Sequence, residues 1–99
     1  MAAFNTISAV INMETILNNA TTTTTDSTET DWADGATHTL KVLVSSAGVV
    51  TYKYDGSAPS AVASFTIDDG EVLTPFFFYL NDSDVAGAMV MQKLKHGRQ

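Results

Sequence analysis

The sequence predicts an all-β protein, a single domain over residues 1–99 that folds as an antiparallel β-sandwich. Three observations support this fold class. Short segments alternate apolar and polar side chains with a period of two, which is typical of half-buried strands. Threonine, valine and aromatic residues, which favour strands, are frequent in these segments. Asn-Asn and Asp-Gly pairs separate them, and such pairs favour turns.

The composition indicates a globular domain with an acidic surface. The 99 residues are 44% hydrophobic and 16% charged, and the formal net charge is −6. A negative chain lacks the basic surface that binds phosphates, so we expect no nucleic-acid partner. No apolar run approaches the ~18 residues that span a bilayer, and the first residues do not resemble a signal peptide, so we expect no membrane association. There is no cysteine and therefore no disulfide.

The charges are unevenly distributed along the chain. No Lys or Arg precedes Lys41, whereas three of the five basic residues lie in the last seven positions, namely Lys93, Lys95 and Arg98. A solvated acidic surface explains this pattern. Head-to-tail charge complementarity between neighbouring copies is the alternative.

The first predicted strand covers residues 6–17. Its odd positions include Ile7, Ile11 and Met13, and its even positions begin with Thr6 and Ser8, an imperfect period-two alternation that favours a strand over a helix. Asn18-Asn19 ends the alternation and predicts a turn.

A threonine run and a polar loop follow. Residues 21–25 are all threonine, which favours strands over helices, and they predict a second strand. Residues 26–36 are rich in acidic and hydroxyl side chains and predict a surface loop. Trp32 lies in this loop, where a binding module would place an aromatic side chain, and is the candidate glycan contact.

The clearest local prediction is a β-hairpin formed by residues 37–45 and 49–54. A loop of three residues, Ser46-Ala47-Gly48, brings the apolar side chains of both strands to the same face, whereas a loop of two residues separates them. The third residue of such a loop adopts a left-handed conformation, and Gly48 occupies that position. The predicted pairs are Val44 with Val50, Val42 with Tyr52, and Leu40 with Tyr54.

A second hairpin is predicted around Asp69-Gly70, which has the residues of a tight turn. Its outgoing strand places Ala63, Phe65 and Ile67 on one face, and its returning strand, residues 72–80, places Phe76 and Phe78 on the same core. Pro75 lacks an amide hydrogen and indicates a sheet edge or a bulge. The other face of the returning strand is also apolar, and we predict that another chain covers it. This predicted interface consists of Leu73, Phe77 and Tyr79.

Residues 83–96 fit two alternatives equally well. Ser83 as N-cap and Gly97 as C-cap indicate a helix, whereas alternation between apolar faces indicates a strand. Residues 96–99 form a tail.

No set of residues predicts a catalytic, cofactor or metal site, and we expect a protein that is not an enzyme. His38 and His96 have no partner indicated by spacing. Acidic residues cluster at three places, but each position also favours a turn, and none has calcium-loop spacing. These clusters are Asp31 with Asp34, Asp68 with Asp69 and Glu71, and Asp82 with Asp84.

Several motifs, in order, resemble the C-terminal half of a concanavalin-like (laminin-G-like) β-sandwich, a jelly-roll-like fold. They are Glu14-Thr15-Ile16, the threonines 21–25, and the hairpin segments 38–44 and 48–56. Together with AVASFTIDDGEVLTPFFFYLNDSDVAG at residues 61–87, they resemble structural proteins of tailed-bacteriophage virions, including capsid-associated and decoration-type proteins. The resemblance implies a strand at the C-terminus.

This resemblance implies a non-enzymatic virion subunit, on the capsid surface or tail, that acts through contacts with other capsid subunits and forms a homo-oligomer. Complete concanavalin-like sandwiches are about twice this length, so either the chain is a truncated or processed piece, or partner chains complete a half-sandwich. The alternative is a carbohydrate-binding, lectin-like module that recognises glycans through Trp32. A filament or adhesin subunit is a third reading. No cofactor is expected.

Overall fold

The computed structural model describes residues 1–77, 91–93, 95 and 97. These residues form six strands and no helix, and the strands make two antiparallel sheets of three strands each. Sheet 1 has the order β1-β2-β3 and sheet 2 the order β4-β5-β6. The two sheets pack against each other, so the predicted all-β antiparallel sandwich is confirmed. The strands are β1 Ala2–Ile7, β2 Val10–Thr15, β3 Thr23–Asp26, β4 Leu40–Val44, β5 Val49–Tyr54 and β6 Phe65–Thr66.

Sheet 1 begins with a hairpin where the sequence predicted one strand over residues 6–17. Ser8 and Ala9 form a two-residue turn with φ of 50° and 68°, and Ile7 pairs with Val10. The single-strand prediction was wrong because neither turn residue is the Gly or Asn that usually marks positive φ. The turn also moves Ile7 off the face that holds Ile11, and 55% of Ile7 is exposed.

The odd positions of β2 face the core. Ile11 and Met13 are fully buried and Thr15 is 8% exposed. β3 pairs antiparallel with β2 over Thr23–Asp26, two residues later than the predicted threonine strand begins. Residues 27–36 then form no strand, in agreement with the polar loop predicted at 26–36. Residues 37–39 also form none, so β4 begins three residues later than the strand predicted at 37–45.

Sheet 2 contains the predicted hairpin with the predicted register. Val44 pairs with Val50, Val42 with Tyr52, and Leu40 with Tyr54. Gly48 has φ of 77°, so the loop has the left-handed residue that its length requires. A Cβ at this position would lie 2.2 Å from the carbonyl oxygen of Ile67. Gly48 therefore permits both the turn and the close passage of the chain that follows β6.

The second predicted hairpin is only partly present. Phe65–Thr66 forms a short strand that pairs with β5, and Gly70 has φ of 82° in the turn after it. Residues 72–77 form no strand, so the predicted returning strand is wrong over this range. Pro75 has no amide hydrogen and so cannot donate a hydrogen bond to a neighbouring strand. Alternation of apolar and polar residues also does not supply the second strand with which this segment would have to pair.

The core lies between the sheets and is small. Among the described residues, six hydrophobic side chains are buried, namely Ile11, Met13, Val50, Tyr52, Ala63 and Ile67. The sequence pattern predicted that Phe76 would cover the hairpin, but 58% of Phe76 is exposed. Phe4 and Met13 of sheet 1 cover it instead, because the missed β1 supplies a second layer.

Several predictions fall outside the described residues. Phe78, Tyr79 and most of residues 83–96 belong to this group, and residues 91–93 and 95 lie in neither a strand nor a helix. In the described part of the chain, no helix is long and apolar enough to cross a membrane.

We predict that Gly48→Ala destabilises the protein by more than about 3 kcal/mol. Left-handed φ costs an L-residue about 1–2 kcal/mol, and the overlap with the Ile67 carbonyl adds to this. Gly35→Ala is the matched control, since Gly35 has φ of 76° but nothing lies within 4 Å of the position that a methyl group would take there. The control should lose only about 1 kcal/mol. Equal urea midpoints for the two variants would contradict the close-passage argument.

Ala9→Gly should stabilise the protein by about 0.5–1 kcal/mol, because glycine adopts φ of 68° without the penalty that alanine bears. Ala47→Gly is the control: Ala47 lies in the other hairpin loop and does not have positive φ, so glycine there only adds unfolded-state entropy. Chemical denaturation should show opposite signs for the two changes. A loss of stability in Ala9→Gly would show that the first turn is not strained.

Candidate functional sites

The polar loop connects the two sheets and is tied to both. The backbone amide of Ser27 donates to the Ile11 carbonyl (3.1 Å), and that of Trp32 donates to the Ala9 carbonyl (2.8 Å). The amide of Ala61 donates to the carbonyl of the fully buried Ser27 (2.9 Å). These bonds hold the loop against the first hairpin and give its side chains defined positions.

A cluster of polar and aromatic side chains forms where this loop enters β4. His38 Nδ1 lies 2.8 Å from Asp55 Oδ2, and the second carboxylate oxygen, Oδ1, accepts a hydrogen bond from the Thr39 amide (2.8 Å). The Tyr54 hydroxyl lies 2.7 Å from His38 Nδ1 and 3.1 Å from Nε2. Trp32 packs edge-on against His38, with ring centroids 4.8 Å apart. We call Trp32, His38, Tyr54 and Asp55 the loop cluster.

The chemistry of the partners fixes the tautomer of a neutral His38. A carboxylate only accepts hydrogen bonds, so the proton lies on Nδ1 and is donated to Asp55. Nε2 is then the ring nitrogen that can accept a hydrogen bond, and the Tyr54 hydroxyl lies 3.1 Å from it, although it is nearer to Nδ1, at 2.7 Å. Burial, together with the negative charges of Asp55 and Glu29, raises the pKa of Tyr54, so the phenol keeps its proton. Hydrogen bonds from the Thr39 amide and His38 lower the pKa of Asp55.

The structure places Trp32, the sequence-predicted glycan contact, half-buried within the loop cluster. Its Nε1 donates to the Ala36 carbonyl (3.1 Å), which fixes the orientation of the ring. Glu29 lies in the same loop and accepts bonds from the Ser60 amide (2.7 Å) and hydroxyl (3.1 Å). The cluster thus presents an oriented indole, a phenol and a carboxylate on one side of the fold.

The spacing of residues indicated no partner for His38, but the structure places Asp55 beside it. His38 and Asp55 are 17 positions apart, so spacing alone gives no signal. The hairpin register does indicate where Asp55 lies, because it pairs Leu40 with Tyr54 and therefore places Thr39 beside Asp55. Extending the predicted ladder by one residue would have found the Asp55 contact.

A second candidate surface is the apolar segment of residues 72–77. Leu73 and Phe77, both in the predicted interface, are 52% and 49% exposed, and Val72 and Phe76 are 89% and 58% exposed. The third predicted interface residue, Tyr79, lies outside the described residues.

Within the described residues, no group of three or more His, Asp or Glu side chains could hold a metal ion. Asp31 and Asp34 lie in the polar loop. Asp68 accepts a hydrogen bond from Asn18 Nδ2 (2.7 Å). The cluster of Asp82 and Asp84 lies outside the described residues.

Comparisons with known proteins give no relative. No family model, curated protein or solved structure matches the chain. The resemblance to concanavalin-like domains and to phage virion proteins therefore stays a prediction.

We predict that Asp55→Asn makes the free energy of unfolding less dependent on pH in the acidic range. Because the folded state lowers the pKa of this carboxyl from its ordinary value of 3.8, its contribution is complete at neutral pH and is lost as pH falls through the folded-state pKa. At pH 7 the variant should be less stable by a small amount, since solvent screens the half-exposed carboxylate. The difference should shrink as the pH falls well below the ordinary pKa.

Urea midpoints at neutral pH and at progressively more acidic pH measure this effect. Asp34→Asn, at an exposed loop position, is the matched control and should follow the wild-type pH profile. A constant difference between wild type and Asp55→Asn at every pH would show that the carboxylate charge has no role.

Proposed function

We propose that this protein is a non-enzymatic structural subunit that acts through contacts with other protein subunits, including copies of itself. The observation that carries the proposal is the exposed apolar segment 72–77, with four large side chains about half or more accessible. Soluble monomers rarely expose large apolar patches, and several large exposed apolar side chains within six residues are typical of an interaction site.

The size of the core supports the same proposal. Chains of about 100 residues bury a smaller fraction of their surface than larger domains, and the described residues bury only six hydrophobic side chains. Full burial of one large apolar side chain contributes about 1.5–3 kcal/mol. Covering Leu73, Phe76 and Phe77 with a second chain would thus add stability that the small core lacks.

The sequence resemblance suggests that these subunit contacts form within a virion. The hairpin and the segment at residues 61–87 resemble capsid-associated and decoration-type proteins of tailed bacteriophages. A decoration-type subunit repeats over a capsid surface or tail and needs a self-associating or capsid-binding face. In this proposal the loop cluster is structural, since its side chains bond one another and the backbone of Ala36 and Thr39.

We expect the wild-type chain to self-associate, with a concentration-dependent increase in mass in sedimentation velocity. Phe77→Asp should weaken association at least about tenfold, since a charge would be buried without a partner. Val62→Asp is the matched control, because Val62 is 58% exposed but lies outside segment 72–77. Circular dichroism should show the same β-sheet signal in both variants. A wild-type chain that stays monomeric throughout the micromolar range would refute the proposal.

Glycan binding is the second candidate function, and the loop cluster is the observation that favours it. Trp32 is held in one orientation against His38, and His38 in turn contacts the half-exposed Asp55 carboxylate, so the cluster contains both an apolar ring and a hydrogen-bond acceptor. Such a combination of ring and polar groups is typical of small-ligand sites.

If the glycan proposal holds, adding the cognate sugar should change the fluorescence of Trp32, the only tryptophan in the chain. His38→Ala should weaken this response, because the imidazole packs against the indole ring and holds it. Phe77→Asp should leave it unchanged. A glycan panel that produces no change in wild-type fluorescence would refute glycan binding and leave the structural proposal intact.

A further inference from the structure

A shallow groove lies between the hairpin loop at Gly48 and the chain that follows β6. Its volume is about 220 Å³. Its apolar lining comes from Val44, Ile67 and Leu73. Three acidic residues also line it, namely Asp68, Asp69 and Glu71. The groove therefore combines an apolar surface with concentrated negative charge.

The size and charge of the groove indicate the kind of ligand that fits it. Small-molecule pockets usually measure about 300–1,000 Å³, so this groove accommodates one or two side chains rather than a whole small ligand. Carboxylates around an apolar surface attract a segment that carries an apolar side chain flanked by basic ones. A basic, partly apolar peptide segment meets both requirements.

The chain itself contains such a segment near its C-terminus. Met91 is 43% exposed, and Lys93 and Lys95 are exposed as well. Within the described residues, the only basic side chain that lies within 4.0 Å of a carboxylate oxygen is His38, beside Asp55, so neither lysine is paired with a described carboxylate. The net charge of −6 would make copies repel one another unless opposite charges meet at their contact.

We propose that the groove binds the basic C-terminal segment of a second copy, with Met91 against the apolar lining and Lys93 and Lys95 beside the carboxylates of Asp69 and Glu71. The contact is heterologous, because groove and segment are different surfaces, and it therefore builds rings or open arrays of copies. Leu73 belongs both to the groove and to the exposed apolar segment, so the contact also covers part of that segment. This inference rests on the proposed structural function and identifies its partner and interface.

Charge reversal on each side tests the contact. The groove variant Asp69→Lys/Glu71→Lys and the tail variant Lys93→Glu/Lys95→Glu should each weaken self-association at least about tenfold, because like charges then meet. Asp68 is left unchanged, since it bonds Asn18. A 1:1 mixture of the two variants should associate again, because each reversed groove then meets a reversed tail of opposite charge. Sedimentation velocity and its salt dependence are the measurements, and added salt should weaken wild-type association.

The matched control is Lys41→Glu/Lys53→Glu. These lysines face each other across β4 and β5 and do not line the groove, and their reversal changes the net charge as much as the tail variant does. This control should associate as the wild type does, and equal weakening in the control would refute the inference.

The remaining outcomes separate the inference from the proposed function. If wild type associates and both reversed variants do so within about twofold, the groove contact is wrong and the structural function stands. If the variants weaken association but their mixture does not restore it, the two surfaces do not meet and the inference is also wrong. A wild-type chain that never associates refutes the proposed function itself.

Discussion

The contact between Tyr52 and Phe4 joins the two sheets, and the rest of the fold depends on it. The rings meet edge to face, with centroids 5.4 Å apart and an interplanar angle of 85°, which is a favoured aromatic geometry. Tyr52 is fully buried, and its hydroxyl donates to the Glu14 carbonyl of sheet 1 (3.4 Å). Burial raises the pKa of Tyr52 to about 12, so this donor keeps its proton at physiological pH. One side chain thus supplies apolar contact and a polar link between the layers.

A small core makes the peripheral hydrogen bonds more important than they would be in a larger domain. Three links of this kind close loops over long sequence separations. They are Asn18 to Asp68, Glu29 to Ser60, and His38 to Asp55. Each lies at or near the surface and contributes modestly by itself. Together they restrict the loops that connect the sheets, which otherwise have few buried side chains to hold them.

Local features of the fold could be predicted from the sequence, and features that depend on distant partners could not. The register of the β4–β5 hairpin followed from Gly48 and the apolar pattern, because both act over a few residues. The first turn was missed because Ser8 and Ala9 take positive φ without the usual residues. Alternation at residues 72–77 shows which side chains share a face, but no described strand pairs with them. In the loop cluster, the place of Asp55 beside Thr39 could be read from the hairpin register, whereas the position of Trp32 could not, because it depends on a hydrogen bond from the loop to the first hairpin.

The close passage at Gly48 has a consequence for the order of folding. The Ile67 amide donates to the Gly48 carbonyl (2.9 Å), and Phe65 pairs with Val50 beside it. The Gly48 carbonyl and the Val50 backbone take up these positions relative to each other when the β4–β5 hairpin closes its loop. Hairpin closure is local and fast, whereas docking of β6 joins residues farther apart in sequence. The hairpin loop therefore provides the surface on which β6 docks. Slow hydrogen exchange at the Ile67 amide would show that its hydrogen bond to the Gly48 carbonyl is formed.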